Sequence, residues 1–192
     1  MKIGVLGGSF CPPTTAHLQL SHKCLDEKLC DKVIWVPVND AYGKSTNLPA
    51  RFRNEMVKLT LENEENISYS LHEQNYDRVV RTLESMKMLQ EIYPNDRLVF
   101  IAGADKMEYK WFQKEEFVRD FGFIVANRGD VDCETVIRSS KTLFKWHENI
   151  AVVDFSSNVS STVVREQIKN GEQTEYIKSS VMEYIAKNNL FR

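Results

Sequence analysis

Two short stretches of this chain carry residue types suited to holding a phosphate. The first is Gly7-Gly8-Ser9-Phe10-Cys11-Pro12-Pro13-Thr14-Thr15-Ala16-His17. It follows an apolar run and opens a helical pattern. Adjacent glycines let a backbone approach a phosphate closely and turn its N–H groups toward it. A helix start adds partial positive charge at the same place. The second stretch is Val159-Ser160-Ser161-Thr162-Val163-Val164-Arg165. Ser160 or Ser161 can cap the helix that follows, and the hydroxyls and N–H groups there suit an anion. Arg165 falls about one turn into that helix, which brings its guanidinium toward the same anion. Neither stretch matches the G-x-G-x-x-G fingerprint of a dehydrogenase or a Walker A loop.

Alternating apolar runs and helical stripes must position these stretches. Residues 2–6 read as a buried strand, 32–38 as a second and 67–71 as a weaker third. Further strands are expected at 98–102, 121–126 and 150–155. Helical spacing covers 17–28, 51–63 and 79–93, the last with Val79, Leu83, Met86, Leu89 and Ile92 as its apolar stripe. Two helices, over about 161–170 and 179–188, close the chain, while 39–50 reads as a loop and 127–134 as a loop or helix entry. This alternation predicts an α/β fold: a Rossmann-like, doubly wound parallel sheet with helices on both faces. One domain over residues 1–192 is expected, with a small helical part at about 160–192. In such sheets the ligand lies beyond the carboxyl ends of the strands. The loops after Leu6, Val38, Ala102 and Phe155 would then share one edge.

Composition narrows the partners. With 25 basic and 27 acidic residues the net charge is −2, so nothing points to nucleic acid or an anionic membrane as the main partner. No apolar run approaches a membrane span, and the start runs directly into a strand-like segment, so neither an anchor nor a signal peptide is expected. Cys11, Cys24, Cys30 and Cys133 form no C-x-x-C pair and have no zinc-ligand spacing with the four histidines. Reduced thiols and a cytoplasmic protein are the expectation, with no protein-built metal site. The oligomeric state is not written in the sequence, and a homo-oligomer is compatible with it.

The first stretch resembles the Gly-Gly-x-Phe-Asp-Pro-x-His/Thr-x-Gly-His signature of the nucleotidylyltransferase superfamily. The second resembles that superfamily's Ile-Ser-Ser-Thr-x-x-Arg signature, with Val159 in place of Ile. The resemblance implies that His17 contacts the ATP phosphates and supports the transition state, and that Thr14 also reaches a phosphate. Gly7, Gly8, Ser9 and Phe10 would line the ATP site, and Ser160, Ser161, Thr162 and Arg165 would hold the β and γ phosphates. Two positions depart from the pattern: Cys11 stands where Asp is usual, and Ala16 where Gly is usual. Cys11 is expected to brace the loop less well than Asp.

The middle of the chain is similar to the nicotinate/nicotinamide mononucleotide adenylyltransferase branch. Arg53 with Met56 resembles its Arg-x-x-Met helix, and Thr82-Leu83 its Thr-Leu helix start, where the threonine faces the acceptor. Phe100-Ile101-Ala102-Gly103-Ala104-Asp105 resembles its strand and turn, with Asp105 on the adenosine ribose. Trp111-Phe112 matches an aromatic pair that stacks on the pyridine ring. Arg128 follows the next strand, where the branch has an arginine, and Lys44 lies where a lysine often reaches phosphate. The implied substrates are ATP and a pyridine mononucleotide, with Mg²⁺ carried mainly by the ATP phosphates. In-line attack by the acceptor phosphate on the α-phosphorus would release pyrophosphate and form a dinucleotide. His17, Lys44 and Arg165 would neutralise the developing charge by position alone. Phosphopantetheine adenylyltransferase is the nearest alternative, since it shares both signatures but lacks the 100–112 pattern. A nucleotide-binding regulator that has lost catalysis is the alternative of another class, prompted by Cys11 and Ala16.

Overall fold

A computed structural model describes residues 1–44, 48–107, 113–126 and 132–192. Within them the chain alternates strand and helix in the order β1 (Lys2–Gly8), α1 (Thr15–Asp26), β2 (Lys32–Pro37), α2 (Ala50–Leu61), β3 (Ile67–Tyr69), α3 (Thr82–Ile92), β4 (Arg97–Gly103), α4 (Ala104–Met107), α5 (Lys114–Asp120), β5 (Phe123–Ala126), α6 (Cys133–Ser139), α7 (Lys141–Lys145), β6 (Ile150–Val153), α8 (Ser161–Lys169) and α9 (Ser179–Lys187). The strands form one parallel sheet in the order β3-β2-β1-β4-β5-β6. Strand order reverses at β1, so the crevice between the loops of β1 and β4 is where a doubly wound sheet takes its ligand.

The period-2 alternation of strands explains the two-sided core. Ile3, Val5, Ile34, Val36, Leu98, Ala102, Phe123 and Val125 face one side and pack with Leu83, Met86 and Leu89 of α3 and Phe117 and Val118 of α5. Leu6, Val33, Trp35, Val99, Ile101 and Ile124 face the other and pack with Leu18 and Cys24 of α1 and Val57 and Leu61 of α2. A third cluster joins α8 and α9 to α2 through Met56, Val164, Ile177, Val181 and Ile185. That cluster is why the C-terminal helices are held over the first loop.

Several boundaries differ from the sequence expectation. The helix expected over 79–93 starts at Thr82, and Val79 and Ile92 are exposed rather than part of its buried stripe. Val79 lies in the polar segment before the helix, so it never joins the apolar face. Gly7 and Gly8 are the last residues of β1, paired with Val36 and Pro37, rather than loop residues. A Cβ at Gly7 would press on the Phe100 ring at 3.2 Å, so a side chain there requires that ring to give way. β5 begins at Phe123 because Gly122, at φ +71°, turns the chain out of α5, and a Cβ at that glycine would overlap the Asn149 carbonyl.

Candidate active site

His17 sits in the first turn of α1, and the residues before it fix its ring. Thr14 is the N-cap, and its backbone N–H donates to His17 Nδ1 at 3.0 Å, while its Oγ1 lies 2.8 Å from the same nitrogen. An amide N–H only donates, so Nδ1 is the acceptor and the neutral ring carries its proton on Nε2. The ring rests against Phe10, at 5.1 Å between centroids, and Trp35, at 5.7 Å. Phe10 and Trp35 themselves stack at 4.8 Å. Trp35 Nε1 donates to Ser21 Oγ and Ser21 Oγ to the His17 carbonyl, both at 2.9 Å, which ties α1 to the sheet.

Two of the expected site residues support the histidine. Thr14 is 1% exposed, and its hydroxyl lies against His17 Nδ1. Phe10 is 2% exposed, with its ring in the core and φ at +47°, so only its backbone can face a ligand. Both are parts of the cradle that aims the histidine.

α8 closes over this loop. Ser160 is its N-cap, with Oγ accepting from Val163 N at 3.3 Å. Ser161 Oγ donates to the Pro12 carbonyl at 2.7 Å. Arg165 Nη1 donates to the Cys11 carbonyl at 2.8 Å and Nη2 to Thr162 Oγ1 at 3.1 Å. The two signature stretches, far apart in sequence, are therefore one surface. A guanidinium has five N–H donors, so these two bonds leave others for an anion.

The segment after β2 supplies the third wall. Its anchor is Arg53 of α2, whose side chain is 0% exposed. Nε donates to the Leu48 carbonyl (2.7 Å), Nη1 to the Val38 (2.8 Å) and Ser9 (3.1 Å) carbonyls, and Nη2 to Asp40 Oδ1 (3.1 Å). Asp40 Oδ1 also accepts from Ala50 N at 2.6 Å, at the start of α2. Lys44 is exposed on this segment, and with Asp40, Leu48, Pro49 and Arg53 it lines a cavity of about 240 Å³. The signature match pointed to Arg53 as a motif residue, but its role as a buckle between two loops rests on contacts distant in sequence.

Cys11 is buried, and its Sγ accepts from Leu48 N at 3.2 Å. Burial pushes the thiol up, while the Leu48 N–H and the charges of Arg165, Arg53 and Lys44 act against it. Three cations thus converge on the first loop. The other cysteines are buried thiols too, with Cys24 pushed up to about 12 and Cys30 to about 11 by desolvation, so neither is a nucleophile at neutral pH.

On the neighbouring strand, Asp105 follows β4 in α4. Its Oδ1 is buried with no hydrogen-bond partner among the described residues, an acceptor set for a ligand hydroxyl. Thr82 opens α3 at the same sheet edge. Trp111, Phe112 and Arg128 lie outside the described residues. Among the described residues no three His, Cys, Asp or Glu side chains gather to hold a metal, and no helix is long and apolar enough to cross a membrane.

Comparison with known proteins bears on this arrangement. The cytidylyltransferase-like family model matches residues 5–167. Nicotinate-nucleotide adenylyltransferase of Bacillus subtilis (strain 168) is 32% identical, covering 99% of this chain and 98% of that protein. A probable nicotinate-nucleotide adenylyltransferase of Clostridium botulinum (strain Okra / Type B1) is 31% identical over 98% of each chain. The fold is similar to that of Plasmodium falciparum nicotinic acid mononucleotide adenylyltransferase complexed with NaAD, at a TM-score of 0.76, 21% identity, and coverage of 99% of this chain and 97% of that one.

Proposed function

The chain belongs to the cytidylyltransferase-like family and, within it, to the nicotinate-nucleotide adenylyltransferases, and we propose that it transfers AMP from MgATP to nicotinate mononucleotide. An oxygen of the acceptor phosphate attacks the α-phosphorus. The bond from that phosphorus to the bridging oxygen of the β-phosphate breaks, and pyrophosphate leaves with the electron pair. Mg²⁺ arrives on the ATP phosphates and shares their charge. His17 donates from Nε2 to the phosphate oxygens as charge builds on them. Arg165 and the N–H groups at the start of α8 hold the β and γ phosphates, and Lys44 reaches them from the segment after β2. Asp105 accepts from the adenosine ribose. Thr82 contacts the mononucleotide, and the resemblance assigns Trp111, Phe112 and Arg128 to the same acceptor. Thr14 and Phe10 serve by aiming His17, and Ser9 by its backbone.

One observation carries this proposal. The hydroxyl of Ser161 and the guanidinium of Arg165 are bonded to the carbonyls of Pro12 and Cys11, which joins the second phosphate-type loop to the first, the loop that leads into His17. The test is pyrophosphate release from purified protein given MgATP with nicotinate mononucleotide, nicotinamide mononucleotide or phosphopantetheine in turn. Turnover with nicotinate mononucleotide above the other two is expected. Turnover with phosphopantetheine alone would overturn the acceptor, and ATP binding without turnover on any acceptor would overturn catalysis.

A further inference from the structure

Resting on the proposed acceptor, we infer that Asn39 is the positioning residue for the acceptor side of the site. Asn39 follows β2 and is 2% exposed. Its Nδ2 donates to the carbonyls of Glu73 (3.2 Å), Tyr76 (3.0 Å) and Arg78 (2.7 Å). One amide group, its two hydrogens shared among three carbonyls, therefore ties residues 73–78 into an arc, and a short segment leads from there to Thr82 at the start of α3.

Little else holds the arc. Residues 76–79 are exposed and irregular, so apolar burial contributes little there. The remaining ties are polar. Gln74 Nε2 donates to the Pro37 carbonyl at 2.9 Å, and Ser70 N to the Trp35 carbonyl at 2.9 Å. His72 bridges the Ser70 and Ser85 hydroxyls at 2.9 Å each. The carboxylate of Glu84 pairs with Arg78, which lies over the Tyr76 ring. Asn39 Oδ1 is buried without a partner among the described residues, so the side chain is held by its donors alone. The NH₂ group supplies two donors to the clustered carbonyls from the end of β2. A carboxylate of the same shape would face those carbonyls with no proton to offer.

The test is Asn39→Asp, assayed with MgATP and nicotinate mononucleotide and by amide hydrogen exchange. With both amide hydrogens lost from the three carbonyls, the KM for the mononucleotide should rise about tenfold or more, while the KM for MgATP stays within about twofold. Exchange over 73–85 should quicken while β1 and β4 stay protected. A parallel rise in both KM values, or an unchanged mononucleotide KM, would overturn the proposal. If Asn39→Asp fails to fold, Gln74→Met removes the half-buried tie from the same arc to the Pro37 carbonyl and should raise the mononucleotide KM about threefold; no rise would overturn it. Wild-type protein inactive with every pyridine mononucleotide would instead refute the acceptor, and hydrogen exchange over 73–85 would still decide whether Asn39 sets the arc.

Discussion

Arg53→Met removes the buckle between the first loop and the segment that carries Lys44. Methionine fills nearly the same volume, so little cavity forms. What is lost is the set of bonds to the Ser9, Val38 and Leu48 carbonyls. Each carbonyl stripped of a donor costs about 1–3 kcal/mol, and because all three are only partly buried, water returns some of it and the lower figure applies, for about 3 kcal/mol in all. Asp40 adds little, because its side chain is 62% exposed and it keeps the Ala50 N–H. Relief of the buried guanidinium's own desolvation sets about 3 kcal/mol as the upper bound. In a domain of this size that lowers the melting temperature by roughly 6–12 °C. Far-UV circular dichroism melts measure it, with pyrophosphate release followed well below the melting point. Turnover should also fall there, because the loops no longer hold their spacing. A melting temperature within about 2 °C of wild type, or full turnover in the folded variant, would refute the buckle.

Four further outcomes are expected. His17→Ala should lower turnover about 10²-fold or more with little change in melting temperature, since it removes one donor aimed at developing charge; full activity would remove His17 from the mechanism. Cys11→Asp should raise turnover about two- to tenfold, because a carboxylate accepts the Leu48 N–H more strongly than sulfur and sits among Arg165, Arg53 and Lys44; a fall in turnover would mean that desolvation of the carboxylate dominates. Ser161→Ala should raise the KM for MgATP about threefold by releasing the Pro12 carbonyl, read from initial rates at saturating acceptor. Burial holds His72 below its ordinary value, so the folded state resists a proton that the unfolded chain accepts. Stability should therefore fall as pH drops below about 6.5, and His72→Gln should flatten that slope in urea titrations across the range.

The strands were legible because buried parallel strands are short apolar runs, and the two loops because glycines, hydroxyls and an arginine cluster there in sequence. The start of α3 was misplaced because Val79 continues the apolar spacing past the point where the backbone turns helical. The support that Thr14 and Phe10 give His17 was not legible, since Phe10 is held by Trp35, brought in by the fold, and Thr14 by its bonds to the His17 ring. Arg53 and Asn39 were invisible as positioning residues for the same reason. Each bonds carbonyls distant in sequence, and a carbonyl has no residue-type signature.

The closure of α8 over the first loop also sets an order of assembly. Ser161 and Arg165 reach back to partners 149 and 154 residues earlier. On the ribosome, β1 through β5 can pair while the phosphate-holding surface is still half built. A chain ending before Ser160 would lack both ties to the first loop and the cover that Met56 of α2 receives from α8 and α9.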